Sequence, residues 1–369
     1  MKINRNRLGL AISVRAVAKF FLLWTIGFTT FFRADAEPSN TIVRTLQNKG
    51  YGSTIVASPD GRFVYFSNTW GLISVINAQT NRRSPSSFET GGLSPLLAIS
   101  PDSQTLYAAI GEKPDGATSV VDVISTASLS LTAQAPITNG QLLGLTPDGK
   151  QLWVAYQNQI SVIDTATLST TTISFPGTPF NCVFTPDGTQ AYLCYLPSGS
   201  TTASFQIALM DTASGAVLNG DVAGPAIRSA DSDSEGPASL ALDPVGGELE
   251  VEVVTPNNRI VMAINTSDYT AKTIYVPLGE GTVNCMCVTP NGAYLYLAVD
   301  NFPDSPLFEV VSIDPASGTI LGPPIDGVIP NAIAIRPDGK YAYLMGSENL
   351  GRPYTNNVTI VDIKPQKAP

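Results

Sequence analysis

Asp231-Ser232-Asp233-Ser234-Glu235 places an acid at every second position within a 369-residue chain. Oxygen ligands at that spacing suit a hard cation such as Ca²⁺. A solvated acidic loop uses the same residues, and it is the reading taken, because the full EF-hand pattern is lacking. Other groups able to do chemistry are scattered: Glu112, Asp115, Asp300, Asp304, Glu348 and Arg352 among the charges, and Asn68, Trp70, Asn158 and Arg259 among possible ligand contacts. Two acids that converged would serve as general acid and base, although acids spread over loops are commonly plain surface. The chain has no histidine at all. That removes Ser-His-Asp and Cys-His catalysis, His-ligated zinc or copper, and the usual haem attachment. No glycine-rich phosphate loop and no GxSxG elbow occurs either. The four cysteines fit no metal-binding spacing. No catalytic residue, metal or cofactor is assigned from these residues.

The elements that must position them announce themselves by repetition. A phrase of a small or polar residue, Pro, an acid or amide, and often Gly recurs seven times. It reads Ser58-Pro59-Asp60-Gly61, Ser100-Pro101-Asp102, Thr146-Pro147-Asp148-Gly149 and Thr185-Pro186-Asp187-Gly188, then Asp243-Pro244, Thr289-Pro290-Asn291-Gly292 and Arg336-Pro337-Asp338-Gly339. Successive prolines are 42, 46, 39, 58, 46 and 47 residues apart. A period of that size marks a propeller or solenoid. Each phrase joins an apolar run such as Leu96-Leu97-Ala98-Ile99 to a strand carrying an aromatic, such as Leu106-Tyr107-Ala108 or Leu152-Trp153-Val154. Pro presets the first turn position and Asp-Gly accepts the backbone angles of the later ones, so the phrase is a hairpin connector. Small residues three positions before the proline, Ala98, Gly144, Ala241 and Ala334, would let neighbouring sheets approach closely. A third strand ends in Val162-Ile163-Asp164-Thr165 or Leu209-Met210-Asp211-Thr212, again a reversal, and a fourth β-rich run comes next.

The expected fold is therefore all-β: a seven-bladed β-propeller of four-stranded antiparallel blades. The last blade lacks a fourth strand, and the segment Thr41-Ile42-Val43-Arg44-Thr45-Leu46 is spare. It is expected to pair with Thr359-Ile360-Val361 and close the ring, which removes an exposed edge. The connectors between second and third strands vary in length (residues 111–118, 196–204, 300–307 and 346–357), as do the links between blades, above all residues 219–237. Those two loop sets share one face, around the central channel, and variable loops on a rigid scaffold are where binding resides. The Asp of each repeated phrase falls on the opposite face.

Residues 1–36 read as a signal peptide: Lys2, Arg5, Arg7, Arg15 and Lys19 precede the apolar run from Phe20 to Phe28, and Ala34-Asp35-Ala36 fits a cleavage site. The run is shorter than the about 20 residues that span a bilayer, so export with cleavage is expected over an uncleaved anchor, leaving residues 37–369 as one propeller domain. Loss of that segment removes six basic residues against Asp35 and moves the formal charge from −9 to −14. Such acidity gives nucleic-acid binding no electrostatic footing. Export would permit a disulfide between Cys182 and Cys194, on consecutive strands of the fourth blade. Buried thiols as core filler are the alternative reading, and the one favoured.

The combination of a Ser-Pro-Asp-Gly turn, an aromatic strand and a Val-Ile-Asp-Thr segment resembles the YVTN family of bacterial β-propeller repeat proteins. Tyr65-Phe66-Ser67-Asn68 is the nearest copy of its naming motif. The resemblance spans residues 41–363, weakest in the fifth blade, where Val245-Gly246-Gly247 and Val251-Glu252-Val253 depart from the pattern. It implies an exported or surface protein with a binding or structural role and no shared catalytic set. A neighbouring seven-bladed group is similar to phosphogluconolactonases, but no motif carries its catalytic residues here. The leading expectation is a monomeric, exported propeller that recognises a protein or glycan partner at the cell envelope through its loop-rich face. The alternatives are a lactonase-like hydrolase using loop carboxylates, or a structural envelope protein.

Overall fold

Seven four-stranded antiparallel sheets are arranged around a common axis in the computed structural model. It describes residues 37–48, 50–111, 119–137, 140–199, 205–222, 240–254, 259–275, 282–300, 308–348 and 356–365. Blade one comprises β2 (Gly52–Ala57), β3 (Phe63–Asn68), β4 (Leu72–Asn77) and β5 (Arg82–Glu89), hydrogen-bonded in that order. Blades two to four repeat the meander from β6 (Leu96–Ile99) to β9 (Ser130–Pro136), from β10 (Gln141–Leu145) to β13 (Thr170–Ser174), and from β14 (Gly177–Phe184) to β17 (Val217–Asn219). Blade five runs from β18 (Leu240–Leu242) through β19 (Glu248–Val254) and β20 (Arg259–Asn265) to β21 (Ala271–Tyr275). Blade six runs from β22 (Thr282–Val288) through β23 (Leu295–Asp300) to β25 (Ile325–Asp326). Among the described residues no helix is long and apolar enough to cross a membrane.

The seventh blade closes as expected. Its order is β1 (Thr41–Gln47), β28 (Asn356–Asp362), β27 (Tyr341–Glu348) and β26 (Val328–Ile335). Thr45 lies opposite Thr359, Arg44 opposite Ile360 and Ile42 opposite Val361. Outside the strand, Ser39 Oγ donates to the Asp362 carbonyl at 2.6 Å. Three connectors are shorter than the sequence suggests, the first because Leu196 and Pro197 remain in β15 (Gln190–Pro197). Gly346 and Ser347 remain in β27, opposite Asn357 and Asn356, because the ladder continues through them. Asp300 likewise ends β23 rather than opening a loop.

Each repeated phrase is a self-satisfied turn. In blade three Thr146 Oγ1 donates to Asp148 Oδ1 at 2.7 Å, and that oxygen accepts the Lys150 amide at 3.1 Å. Thr146 Oγ1 in turn accepts the Gln151 amide at 3.0 Å. Ser58/Asp60, Ser100/Asp102, Thr185/Asp187 and Thr289/Asn291 repeat the cassette. The side chains thus reproduce the backbone's own turn bonds, and the acids are spent on geometry.

The core is not central. It lies in seven seams, each filled by one blade's apolar face against its neighbour's, and the seam between blades seven and one (Tyr343, Met345, Val358 and Ile360 against Ile55, Val64, Phe66 and Ile76) completes the circle. Gly144 shows how close the blades come: at φ +152°, a Cβ there would meet the Phe184 ring of the next blade at 3.1 Å. In six of the seven blades an aromatic of the second strand packs into the seam with the following blade. Tyr65, Tyr107 and Tyr192 reach Thr126, Thr165 and Thr266 of the following blade, and those threonines donate onward to the Ser103, Gly149 and Gly246 carbonyls. Where the following blade offers Ala78 in place of threonine, Tyr343 donates instead to Asn81 Oδ1 at 2.9 Å. Tyr296 donates to Asn40 Oδ1 at 2.8 Å in the same way.

The free cysteines exclude the disulfide. Cys194 lies opposite Asn181, and Cys182 opposite Leu193, so the two side chains stand on opposite sheet faces. Cys194 packs into the seam with blade five and Cys182 into the seam with blade three.

Two outcomes for stability can be measured. Truncating Ile360, fully buried in the closing blade, is expected to cost about 2–5 kcal/mol in chemical denaturation; a smaller loss would mean that the closing seam is not part of the cooperative unit. The turn acids make the fold acid-sensitive. The Lys150 amide and Thr146 hydroxyl hold the Asp148 carboxyl down to about 2, and Asp102 and Asp187 are lowered by their own Ser and Thr hydroxyls and turn amides. A depressed folded-state value contributes stability above the unfolded value and loses it as pH falls through the folded one. Melting temperature should therefore hold steady down to about pH 4 and fall towards pH 2, with a smaller acid drop in Asp148→Asn. An equal drop in that variant would remove Asp148 from the account.

Candidate functional site

The two faces of the ring differ in kind. On the face of the first-to-second and third-to-fourth turns, the Asp and Asn cassettes leave little that is unsatisfied. A shallow cleft of about 430 Å³ lies there between blades one and seven, lined by Asp60, Gln79, Arg336 and Asp338. Its charges are engaged: Arg336 grips Asp338 through Nε at 2.7 Å and Nη2 at 2.6 Å, donates to the Ala78 carbonyl, and stacks 4.6 Å from the Tyr341 ring centre.

The opposite face carries the second-to-third connectors and the blade links, and blade one shows its best-defined surface. Asn68, the last residue of β3, is 1% exposed. Its Oδ1 accepts the Trp70 and Leu72 amides, both at 3.0 Å, and its carbonyl accepts the Gly71 amide. The side chain builds the turn and does not face solvent. The turn is clamped on both sides. Thr69 donates its amide to the Tyr51 carbonyl at 2.7 Å, and its own carbonyl accepts the Ser94 amide at 3.2 Å. Thr90 Oγ1 bonds the Gly71 and Gly92 carbonyls. Three backbone segments are thereby fixed side by side, and each presents one solvent-facing apolar residue: Tyr51 at 57%, Trp70 at 67% and Leu93 at 41% exposure.

Other residues singled out in the sequence do not gather there. Asn158 is exposed in the two-residue turn between β11 (Gln151–Tyr156) and β12 (Gln159–Asp164) of blade three. Arg259 opens β20 in blade five and Asp300 ends β23 in blade six. Arg352 and the weak Ca²⁺ trio Asp231, Asp233 and Glu235 lie outside the described residues. Among the described residues, no group of three or more His, Cys, Asp or Glu side chains could hold a metal ion. Cys194 is buried and the other three cysteines are partly buried; desolvation pushes the Cys287 thiol up to about 12 and Cys182, Cys194 and Cys285 higher still, so none is a ready nucleophile.

Tyr51 and Leu93 escape the sequence reading, although both lie in blade links assigned to this face. The signal was present: Tyr51 stands between Gly50 and Gly52, and Leu93 comes directly after Gly91-Gly92, large apolar residues in segments that glycine marks as non-strand.

Fold and surface together define a seven-bladed propeller with a stereotyped turn face and a variable loop face. The propeller domain of Myceliophthora thermophila Cps50 (Swd1) matches with a TM-score of 0.65 at 14% identity, over 88% of this chain and 100% of that one. Hydrazine synthase of Kuenenia stuttgartiensis matches with a TM-score of 0.68 at 18% identity, over 92% of this chain and 100% of that one. At such identities the likeness extends to the fold alone. No protein-family model and no curated protein sequence matches the chain.

Replacing Asn68 with Ala should strand two turn amides and destabilise by about 1–3 kcal/mol. It should also raise the mobility of the Trp70 indole in time-resolved fluorescence anisotropy. An indole as rigid as in the parent would show that the clamps from Tyr51 and Ser94 suffice.

Proposed function

We propose that this chain is an exported, YVTN-type propeller that binds a protein or glycan partner at the cell envelope through its loop face. The observation that carries the reading is the contrast between faces. On one, the repeated acids are consumed by turn bonds; on the other, a clamped turn holds aromatic side chains in solvent, where nothing in the fold requires them. The basic and apolar character of residues 1–36 supports export. The formal charge disfavours nucleic acid as the partner.

Site-selective blocking tests the face. Because desolvation raises all four native thiols and slows their reaction, a surface cysteine can be labelled selectively with bulky polyethylene glycol. Labelled Asn158→Cys, on the loop face, is expected to lose binding to intact cells of the source organism. Labelled Lys150→Cys, beside a turn cassette, should keep it. Loss of binding only at Lys150→Cys would reverse the assignment of the faces. Export is checked independently by the N-terminus of the secreted chain, expected at residue 37; an unprocessed cytoplasmic product would sink that part of the reading.

A further inference from the structure

We infer that the Trp70 indole is a stacking platform for a neutral sugar ring, flanked by Tyr51 and Leu93. The inference rests on the loop-face reading and names a ligand class for it.

The geometry begins at Gly50, whose φ is +81°. A Cβ placed there would lie 3.1, 3.2 and 3.3 Å from Trp70 Cε3, Cδ2 and Cζ3. Three bonded ring atoms at nearly equal distance mean that the backbone meets the face of the indole, not its edge. One face is thus supported by glycine backbone, while the side chain as a whole remains 67% exposed. An indole backed on one side and open on the other is what a pyranose needs. The sugar's C–H face packs against the negative ring face while its hydroxyls stay in water. The ring is also held ready: the amides on either side of its turn are bonded to Asn68 Oδ1 and the Tyr51 carbonyl, so little ordering remains for binding to impose.

Area selects the occupant. At their exposures of 67%, 57% and 41%, Trp70, Tyr51 and Leu93 offer on the order of 350 Å² of side-chain surface. A stable protein interface takes about 800 Å² from each partner. The patch therefore covers one or two sugar rings and falls short of a protein footprint. Charge selects the kind of sugar. The exposed Glu89 lies opposite Leu72 at the edge of the turn, so the charge it places beside the patch is negative. The chain as a whole is acidic, which disfavours sulfated or uronic polymers.

The test is a fluorescence titration of the full chain with neutral β-glucan, chito- and manno-oligosaccharides, with heparin as the anionic probe. Trp153 is fully buried and Trp24 lies in the segment expected to be cleaved, so the ligand-dependent signal should come from Trp70 and vanish in Trp70→Phe. Trp70→Ala should weaken binding about ten- to a hundredfold with an unchanged melting temperature, and Tyr51→Ala by less. Lys150→Ala, on the other face, should leave it unchanged. Gly50→Ala should weaken binding by displacing the ring while Trp70 itself is retained. The inference falls if no neutral oligosaccharide binds, if binding survives Trp70→Ala, or if heparin is the probe that depends on Trp70. A protein partner whose capture requires Trp70, with no sugar bound, would overturn the sugar assignment and leave the loop-face reading standing.

Discussion

Everything in this protein depends on closure of the ring. A four-stranded blade is apolar on both faces and cannot bury either alone, so each blade is stable only when flanked. Seven seams supply that flanking, and β1 joins β28 to complete blade seven and adds Leu46 to the rim of its seam with blade one. Two segments more than 300 residues apart are thereby used in one sheet: Arg44 lies opposite Ile360, and the Ser39 hydroxyl bonds the Asp362 carbonyl, 323 residues on. Without that pairing, blade seven would present β28 as an open edge and the closing seam would lose Leu46 from its rim.

The seams are joined by more than apolar packing. A buried tyrosine needs a partner for its hydroxyl, and the propeller supplies one from the following blade: threonine where the turn offers it, asparagine where it does not. Blade five shows the rule by its exception. The position that would receive its aromatic is Pro315, which has no hydroxyl, and the aromatic is replaced by Glu250. Glu250 lies opposite Ala241 and Ala263, and Glu252 opposite Val261. Both acids are fully buried on the face turned to blade six. Blade five thus departs from the repeat at its aromatic position, and blade six at the position that would receive that aromatic.

The fold was legible because its information is periodic. Seven Pro-centred turns, spaced by about one blade, carry blade number, strand order and the face of each loop, and even the spare strand at Thr41 emerges from counting. The disulfide was not legible, because β-sheet register decides it. A shift of one residue sends Cys182 and Cys194 to opposite faces, and the irregularity at Pro179/Asn181 that sets the register has no clear sequence mark. The candidate surface was half legible. Trp70 stands out as an aromatic on a short connector. That Asn68 turns inward to hold it, and that Tyr51 and Leu93 join it from two different links, depends on backbone bonds between residues 18 to 25 positions apart.

The two faces also explain why such a scaffold tolerates change where it does. A turn cassette ties three backbone groups to two short side chains, so inserting a residue there breaks bonds that also fix a strand pair. A link on the other face is bounded by strands already held by their seams, and lengthening it costs mainly loop entropy, which grows slowly with length. Blade one uses this freedom in the opposite sense. Its links are short and cross-bonded, and the result is a rigid apolar surface held in water. Hydrophobic exposure combined with rigidity is costly in a free protein and favourable in a bound one, which is the physical ground for seeking the ligand at blade one before the longer loops.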